Sequence, residues 1–286
     1  MIGTAPRAGS RTPLAVEALG YLGGALAIIA GIVAVQQLQL DITAAGELGF
    51  AGVTAAALAA GGAVTPAGRE PAFARLRSVL WVLAVIAVAA FTGVLCDQIL
   101  HLPGDGTATV TGAVSTCCAA VLWRQSKTAP LHLTLFCAAA VTVGSAVAWA
   151  DAGLRSWGPG LAIWALSGLW AVAVERGVLI PAWAGNLAAG AGLLLGAELT
   201  MEIGAGHVLA IATVLALLAA GVAARRGWLL IFGVIGVIQV TPQTVGRYLP
   251  SSAATPLVLL AAGLVLLAAA LWVARRHRRR GRGEAG

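Results

Sequence analysis

The chain has 286 residues, of which 59% are hydrophobic and only 10% are charged, and its mean hydropathy is +0.92. This composition lies well outside that of a soluble globular domain. The net charge of +7 does not indicate nucleic-acid binding, because the basic residues lie in short clusters between apolar runs. We therefore expect the partner of this chain to be the lipid bilayer, and no nucleic acid.

The apolar segments predict transmembrane helices rather than the strands of a barrel. Each segment is apolar all round, whereas barrel strands alternate apolar and polar residues. A helix needs about 20 residues to cross the hydrocarbon core. Ten segments fit this description, at residues 14–35, 46–64, 78–99, 107–123, 131–149, 158–174, 180–198, 207–223, 228–246 and 255–273. The sequence thus predicts an all-α bundle of ten spans, with eight as the alternative, in one transmembrane domain over residues 1–286.

The basic residues predict that both chain termini are cytoplasmic. With residues 1–13 inside, all of the 18 Lys and Arg residues except Arg155 and Arg247 fall on the cytoplasmic side, as the positive-inside rule requires. The first span is too long for the core of a signal peptide and is not followed by a persuasive cleavage site, so we expect it to be retained. The expected location is the cytoplasmic (inner) membrane of a bacterium.

A basic tail, residues 274–286, follows the last predicted span. Five of its arginines form one cluster, made of Arg275, Arg276, Arg278, Arg279 and Arg280. Each basic residue near an anionic membrane surface contributes about 1 kcal/mol of attraction. We expect this cluster to bind anionic lipid headgroups and to keep the end of the last helix inside.

Polar residues gather toward the predicted outer ends of several spans. In the ninth span Gln239, Gln243 and Arg247 are spaced i, i+4 and i+8, so they share one helix face. Gln239 lies about 20 Å along the helix from Arg226, which is inside the hydrocarbon region. We predict a polar vestibule open to the outside, formed by Asp97, Glu198, Gln239, Gln243 and Arg247.

Within this vestibule, Asp97 and Glu198 would be the acids, and Arg247 would be their counter-charge or a contact for an anion. Pro242 interrupts the helical ladder between the two glutamines and frees a carbonyl group for a ligand or a neighbouring side chain. The alternative is that the outer polar groups reach the headgroup zone and are solvated there.

Two pairs of glycines have the spacing at which helices approach closely in lipid. They are Gly20 with Gly24 in the first span and Gly192 with Gly196 in the seventh. Helices in a bilayer associate through packing, and small residues let their backbones come together. The pairs indicate a packed bundle and nothing more specific, because the chain has 37 glycines.

The sequence carries no signature of a metal, a cofactor or a catalytic centre. The four cysteines lack C-x-x-C spacing, and we expect them to be small hydrophobic residues. Zinc-protease, nucleotide-binding and nucleophile-elbow motifs are missing, so an enzyme is disfavoured. We expect His132 and His207, each at the start of a span, to be interfacial, and the deeper Trp164 to pack in the core.

Three stretches of the sequence resemble a known group of proteins. They are Glu-Ala-Leu-Gly-Tyr-Leu-Gly-Gly-Ala-Leu at 17–26, Arg-Leu-Arg-Ser-Val-Leu-Trp at 75–81 and Gln-Val-Thr-Pro-Gln-Thr-Val-Gly-Arg-Tyr-Leu-Pro at 239–250. Through them the chain resembles uncharacterised multi-pass membrane proteins of high-GC bacteria, a family labelled as a domain of unknown function. The resemblance implies a multi-pass architecture and no activity.

The predicted architecture favours a small-solute transporter. Residues 14–149 and 158–273 would form two sets of five spans with opposite orientation, which permits an inverted repeat like that of drug/metabolite exporters. The alternative is a non-transporting scaffold, sensor or accessory subunit of an envelope complex, which the small number of mid-membrane charges favours. A third possibility, an enzyme acting on lipid-linked substrates, requires Asp97, Glu198 and either His101 or His207 to converge on one outer site.

Overall fold

The computed structural model describes residues 43–65 and 71–248, together with the single positions 260 and 263. The predicted first span and the basic tail lie outside the described residues, as does the predicted last span apart from positions 260 and 263.

Eight long α-helices occupy the described residues. In chain order they are α1 (Ala44–Val64), α2 (Pro71–Val94), α3 (Gly104–Ser126), α4 (Ala129–Ala150), α5 (Gly158–Glu175), α6 (Ala182–Leu199), α7 (Gly204–Ala224) and α8 (Gly227–Tyr248). A π-helical turn, Leu95–Ile99, extends α2, and a short 3₁₀ turn, Ala152–Leu154, precedes α5. For this part of the chain the prediction of an all-α fold is confirmed, and each helix corresponds to one predicted segment from the second to the ninth.

Seven of these eight described helices are long and apolar enough to cross a membrane. The remaining helix, α6, has 18 residues and includes the polar Asn186 and Glu198. By their length and composition, the seven helices assign the chain to the multi-pass helical membrane proteins.

Local backbone geometry sets the ends of the helices. α3 begins at Gly104, earlier than its apolar run, because the Pro103 carbonyl already accepts from the Thr107 nitrogen over 2.8 Å. It ends where Lys127 takes a φ of 28°, and α7 ends where Arg225 takes a φ of 53°. A right-handed helix cannot continue through a residue with positive φ.

The described chain divides into two compact units. The first holds the described part of Met1–Ala150 with Val174–Gly185, and the second holds Asp151–Ala173 with the described part of Asn186–Gly286. The first unit therefore contains α1 to α4. The second contains most of α5 and α6 and all of α7 and α8.

In the first unit, α1 and α2 pack through a tryptophan and a glycine. Trp81 is only 1% exposed, and its indole lies against Gly62 of α1, where an added Cβ atom would overlap the ring. The guanidinium of Arg77 lies 4.1 Å from the indole centroid, which is a cation–π contact. A larger side chain at position 62 would therefore force the two helices apart.

Small and hydroxyl-bearing residues join α3 to α4. An added Cβ atom at Gly112 would lie 3.0 Å from the backbone nitrogen of Thr142. Thr109 donates a hydrogen bond to Ser145 over 3.1 Å, and the hydroxyls of Thr116 and Thr142 are 3.1 Å apart. Close backbones and hydroxyl contacts are typical of helices packed in lipid. The Gly- and Thr-rich face of α3 therefore serves packing against α4.

In the second unit α5 crosses α6 closely, and α6, α7 and α8 supply most of an apolar core. At Gly196 an added Cβ atom would lie 2.5 Å from the Trp164 backbone nitrogen and 2.7 Å from the Gly160 carbonyl oxygen. Gly196, one of the small residues noted in the sequence, thus sets the distance between these helices. The buried core residues are Leu194, Ala197, Met201, Ala210, Val214, Leu217, Phe232 and Val240.

Candidate polar site

Glu198, at the C-terminal end of α6, accepts hydrogen bonds from two glutamines of α8. Gln243 Nε2 donates to Oε1 over 2.8 Å, and Gln239 Nε2 donates to Oε2. The two glutamines are one turn apart, so both amides reach the same carboxylate from one helix face. The second unit thus brings together Glu198, Gln239 and Gln243 of the predicted vestibule.

The position of Gln239 along α8 sets the depth of this group. Because α8 runs from Gly227 to Tyr248, Gln239 lies about 18 Å from its start and about 13 Å from its end at 1.5 Å per residue. The hydrocarbon core of a bilayer is about 30 Å thick. A membrane-crossing α8 therefore holds Gln239, and the Glu198 carboxylate bonded to it, within the apolar layer.

The partners of the Glu198 carboxylate are neutral amides. Among the residues that the structure describes, no basic side chain bonds to it. Nor do these residues include a group of three or more His, Cys, Asp and Glu side chains that could hold a metal ion. Each carboxylate oxygen of Glu198 thus accepts a hydrogen bond from a neutral donor of α8.

Pro242 lies inside α8 between the two glutamines. A proline has no N–H, so the carbonyl of Ile238 loses its helical donor at this level. Irregular backbone at membrane depth is tolerated where it is buried in protein or lines a water-filled cavity. The interruption of the α8 ladder therefore coincides with the level of the carboxylate.

Arg247 lies one turn beyond Gln243, at the end of α8. Its Nη1 donates to the backbone carbonyl of Glu202 over 3.5 Å, and both side chains are exposed. This contact fastens α8 to the connection between α6 and α7. The role of Arg247 as a counter-charge or anion contact stays a prediction.

Asp97, the fifth predicted vestibule residue, belongs to the first unit. It is exposed in the π-helical turn that extends α2. Its neighbour Gln98 donates to the Glu47 carboxylate of α1 over 3.0 Å. Turns of this kind often occur at functional sites. The vestibule as a set of five residues drawn from both units stays a prediction.

The two histidines predicted to be interfacial are buried within their units. His132 is 0% exposed and His207 is 4% exposed. The His132 imidazole packs edge-on against Trp123, with ring centroids 5.7 Å apart, and Trp123 Nε1 donates to the Ile180 carbonyl over 3.0 Å. The interfacial depth of both histidines stays a prediction. Their burial against other helices could not be read from the sequence, because a position at the start of a span does not say which face of the helix meets its neighbours.

Trp164 packs against the core of the second unit, as predicted. Its Nε1 donates to the hydroxyl of Thr213 on α7 over 3.0 Å, and Thr213 is 5% exposed. This partner could not be predicted from the sequence, because a single threonine in an apolar helix has many possible neighbours. The indole N–H is thus satisfied inside the apolar core.

Comparisons of the chain with protein-family models, with curated proteins and with solved structures found no match.

Proposed function

We propose that this protein is a small-solute transporter of a bacterial cytoplasmic membrane. The observation that carries the proposal is the Glu198 carboxylate, which accepts hydrogen bonds from Gln239 and Gln243 of α8, a helix long and apolar enough to cross a membrane. Ionisable side chains within membrane helices are costly, and they mark substrate or ion pathways. A scaffold whose helices only pack together has no need of such a group.

The proline within α8 supports the same proposal. Many transporters bind their substrates near the bilayer midplane, where helix backbone groups are left free of helical hydrogen bonds. Pro242 lies inside α8 next to both glutamines that bond to Glu198, and it removes one backbone donor there.

The proposal also includes the orientation of the chain in the membrane, the lipid contact of its tail and its family. We place both termini in the cytoplasm, as the distribution of basic residues favours, and the arginine cluster at 275–280 on anionic headgroups. The phrases at 17–26, 75–81 and 239–250 favour membership of the uncharacterised multi-pass family of high-GC bacteria.

The direct test is solute exchange by the purified full-length protein in liposomes. The vesicles are loaded with a mixture of amino acids, sugars, nucleosides and small organic ions, and the released compounds are identified by mass spectrometry. Empty liposomes give the background. The Gln239→Leu variant removes one of the two donors to Glu198, while Glu202→Gln changes a nearby exposed acid and is the matched control.

Under the proposal, at least one class of solute leaves the vesicles faster with the wild-type protein and with Glu202→Gln than with Gln239→Leu. If every solute is retained as in empty liposomes, the transporter proposal is wrong. The scaffold, sensor or accessory-subunit alternative then takes its place, and capture of a partner becomes the next experiment.

A further inference from the structure

We infer that Glu198 is a proton-binding site, and that protonation of its carboxylate is the step that couples transport to a proton gradient. Of these two claims, only the coupling to a proton gradient rests on the proposed transport function. The binding of a proton at Glu198 stands on the hydrogen bonds of the site itself.

The site as it stands matches the ionised form of Glu198. An ionised carboxylate only accepts hydrogen bonds, and each of its oxygens accepts from one glutamine Nε2, of Gln239 and of Gln243. The donors come from one helix and the acceptor from another, so the charge state of Glu198 bears directly on how α6 is tied to α8.

The same two glutamines also match the protonated form. A protonated carboxyl group donates one hydrogen bond from its O–H and still accepts at its carbonyl oxygen. If one glutamine amide turns over, its Oε1 accepts from the Glu198 O–H, while the other amide keeps donating. Arginine or lysine could serve only the ionised form, because neither has an acceptor atom. A pair of amides is thus suited to a carboxyl group that gains and loses a proton.

Few other charged groups belong to the helices packed against the site. α5 has no titratable side chain over residues 158–173. On α7 the titratable side chain is His207, which is buried with Nδ1 3.4 Å from the Ile203 carbonyl. The charged group of α8 over residues 227–247 is Arg247, which bonds to the Glu202 backbone, and Glu202 itself is exposed in the connection between α6 and α7.

Infrared difference spectroscopy of the full-length protein in bilayers tests proton binding without any substrate. Lowering the pH converts carboxylates to carboxyl groups, each of which adds a C=O stretching band. We expect Glu198→Gln to delete one such band, at a frequency distinct from that of water-exposed acids. Glu202→Gln is expected to keep this band and to lose only an exposed-acid signal. Glu198→Asp, which remains titratable, should restore a band in the same region.

Identical spectra for Glu198→Gln and wild type, with both proteins eluting as folded, would overturn the inference. A second arm replaces choline by sodium in the buffer at constant ionic strength. If sodium displaces the proton and abolishes the Glu198 band, the site binds a metal cation, and the inference is again overturned. A band that is insensitive to sodium supports a site for protons.

The transport arm separates this inference from the proposed function. With the solute found in the exchange experiment, wild type and Glu202→Gln should accumulate the solute when a pH gradient is imposed, and Glu198→Gln should not. If wild type transports the solute but ignores the gradient, the coupling inference fails and the transporter proposal survives. If no solute is transported while the Glu198 band is present, the transporter proposal fails and the proton site survives.

Discussion

The crossing of α5 and α6 offers a substitution whose effect follows from the backbone alone. In Gly196→Ala, the new Cβ atom would lie 2.5 Å from the Trp164 nitrogen, 2.7 Å from the Gly160 carbonyl oxygen and 2.8 Å from the Trp164 Cα atom. All three neighbours are backbone atoms of α5, so no side chain can rotate to make room. The two helices must separate to accept a single methyl group.

The size of the effect combines two opposing contributions. Overpacking a well-packed contact costs about 1 to 3 kcal/mol, and backbone neighbours place this contact at the upper end. Alanine gains about 1 kcal/mol over glycine in a helix interior. The expected net loss in the free energy of unfolding for Gly196→Ala is therefore about 1 to 2 kcal/mol.

The measurement is thermal unfolding of the purified protein in detergent, followed by the loss of monodisperse protein. Gly168→Ala on α5 is the matched control, since a Cβ atom there meets nothing within 4 Å and should raise the melting temperature or leave it unchanged. If Gly196→Ala melts at the same temperature as Gly168→Ala, the close crossing of α5 and α6 is not present in the protein.

Two further predictions concern a partly buried hydrogen bond and the basic tail. Thr213→Val removes the acceptor of Trp164 Nε1 and should cost about 1 to 3 kcal/mol of stability, because a partly buried N–H is left without a partner. The control Thr134→Val loses only an exposed bond to the Pro130 carbonyl and should melt like wild type. Replacing the arginines at 275–280 by glutamine should weaken retention of anionic lipid, by about 1 kcal/mol for each residue, as measured by native mass spectrometry. Equal lipid retention would contradict the headgroup contact.

The existence of the helices could be predicted from the sequence, but the residues at which they begin and end could be predicted less well. Apolar runs of membrane-crossing length have one satisfactory structure in lipid, which is why eight of the predicted segments are helices in the described residues. Hydropathy detects the part of a helix that meets lipid and misses polar turns that continue it. α3 shows this, since Gly104, Asp105 and Gly106 already belong to the helix.

Only the part of the candidate site that lies on α8 could be predicted from the sequence. The i, i+4 spacing of Gln239 and Gln243 places both on one face of α8 by helix geometry alone. Their shared acceptor, Glu198, lies 41 and 45 residues away in the chain, and no local pattern reports the register of two helices. The burial of His132 was missed for the same reason.

Gly196 also links the packing of α6 to the proposed chemistry, because it precedes Glu198 by two residues on the same helix. Separating α6 from α5 in Gly196→Ala should displace the carboxylate relative to Gln239. Thr213→Val lowers stability through a bond between the Trp164 side chain and α7 and adds no atom at the Gly196 contact. At a temperature where both variants are equally folded, we expect slower solute exchange in Gly196→Ala than in Thr213→Val. Equal rates would mean that exchange depends on overall stability rather than on the placement of Glu198.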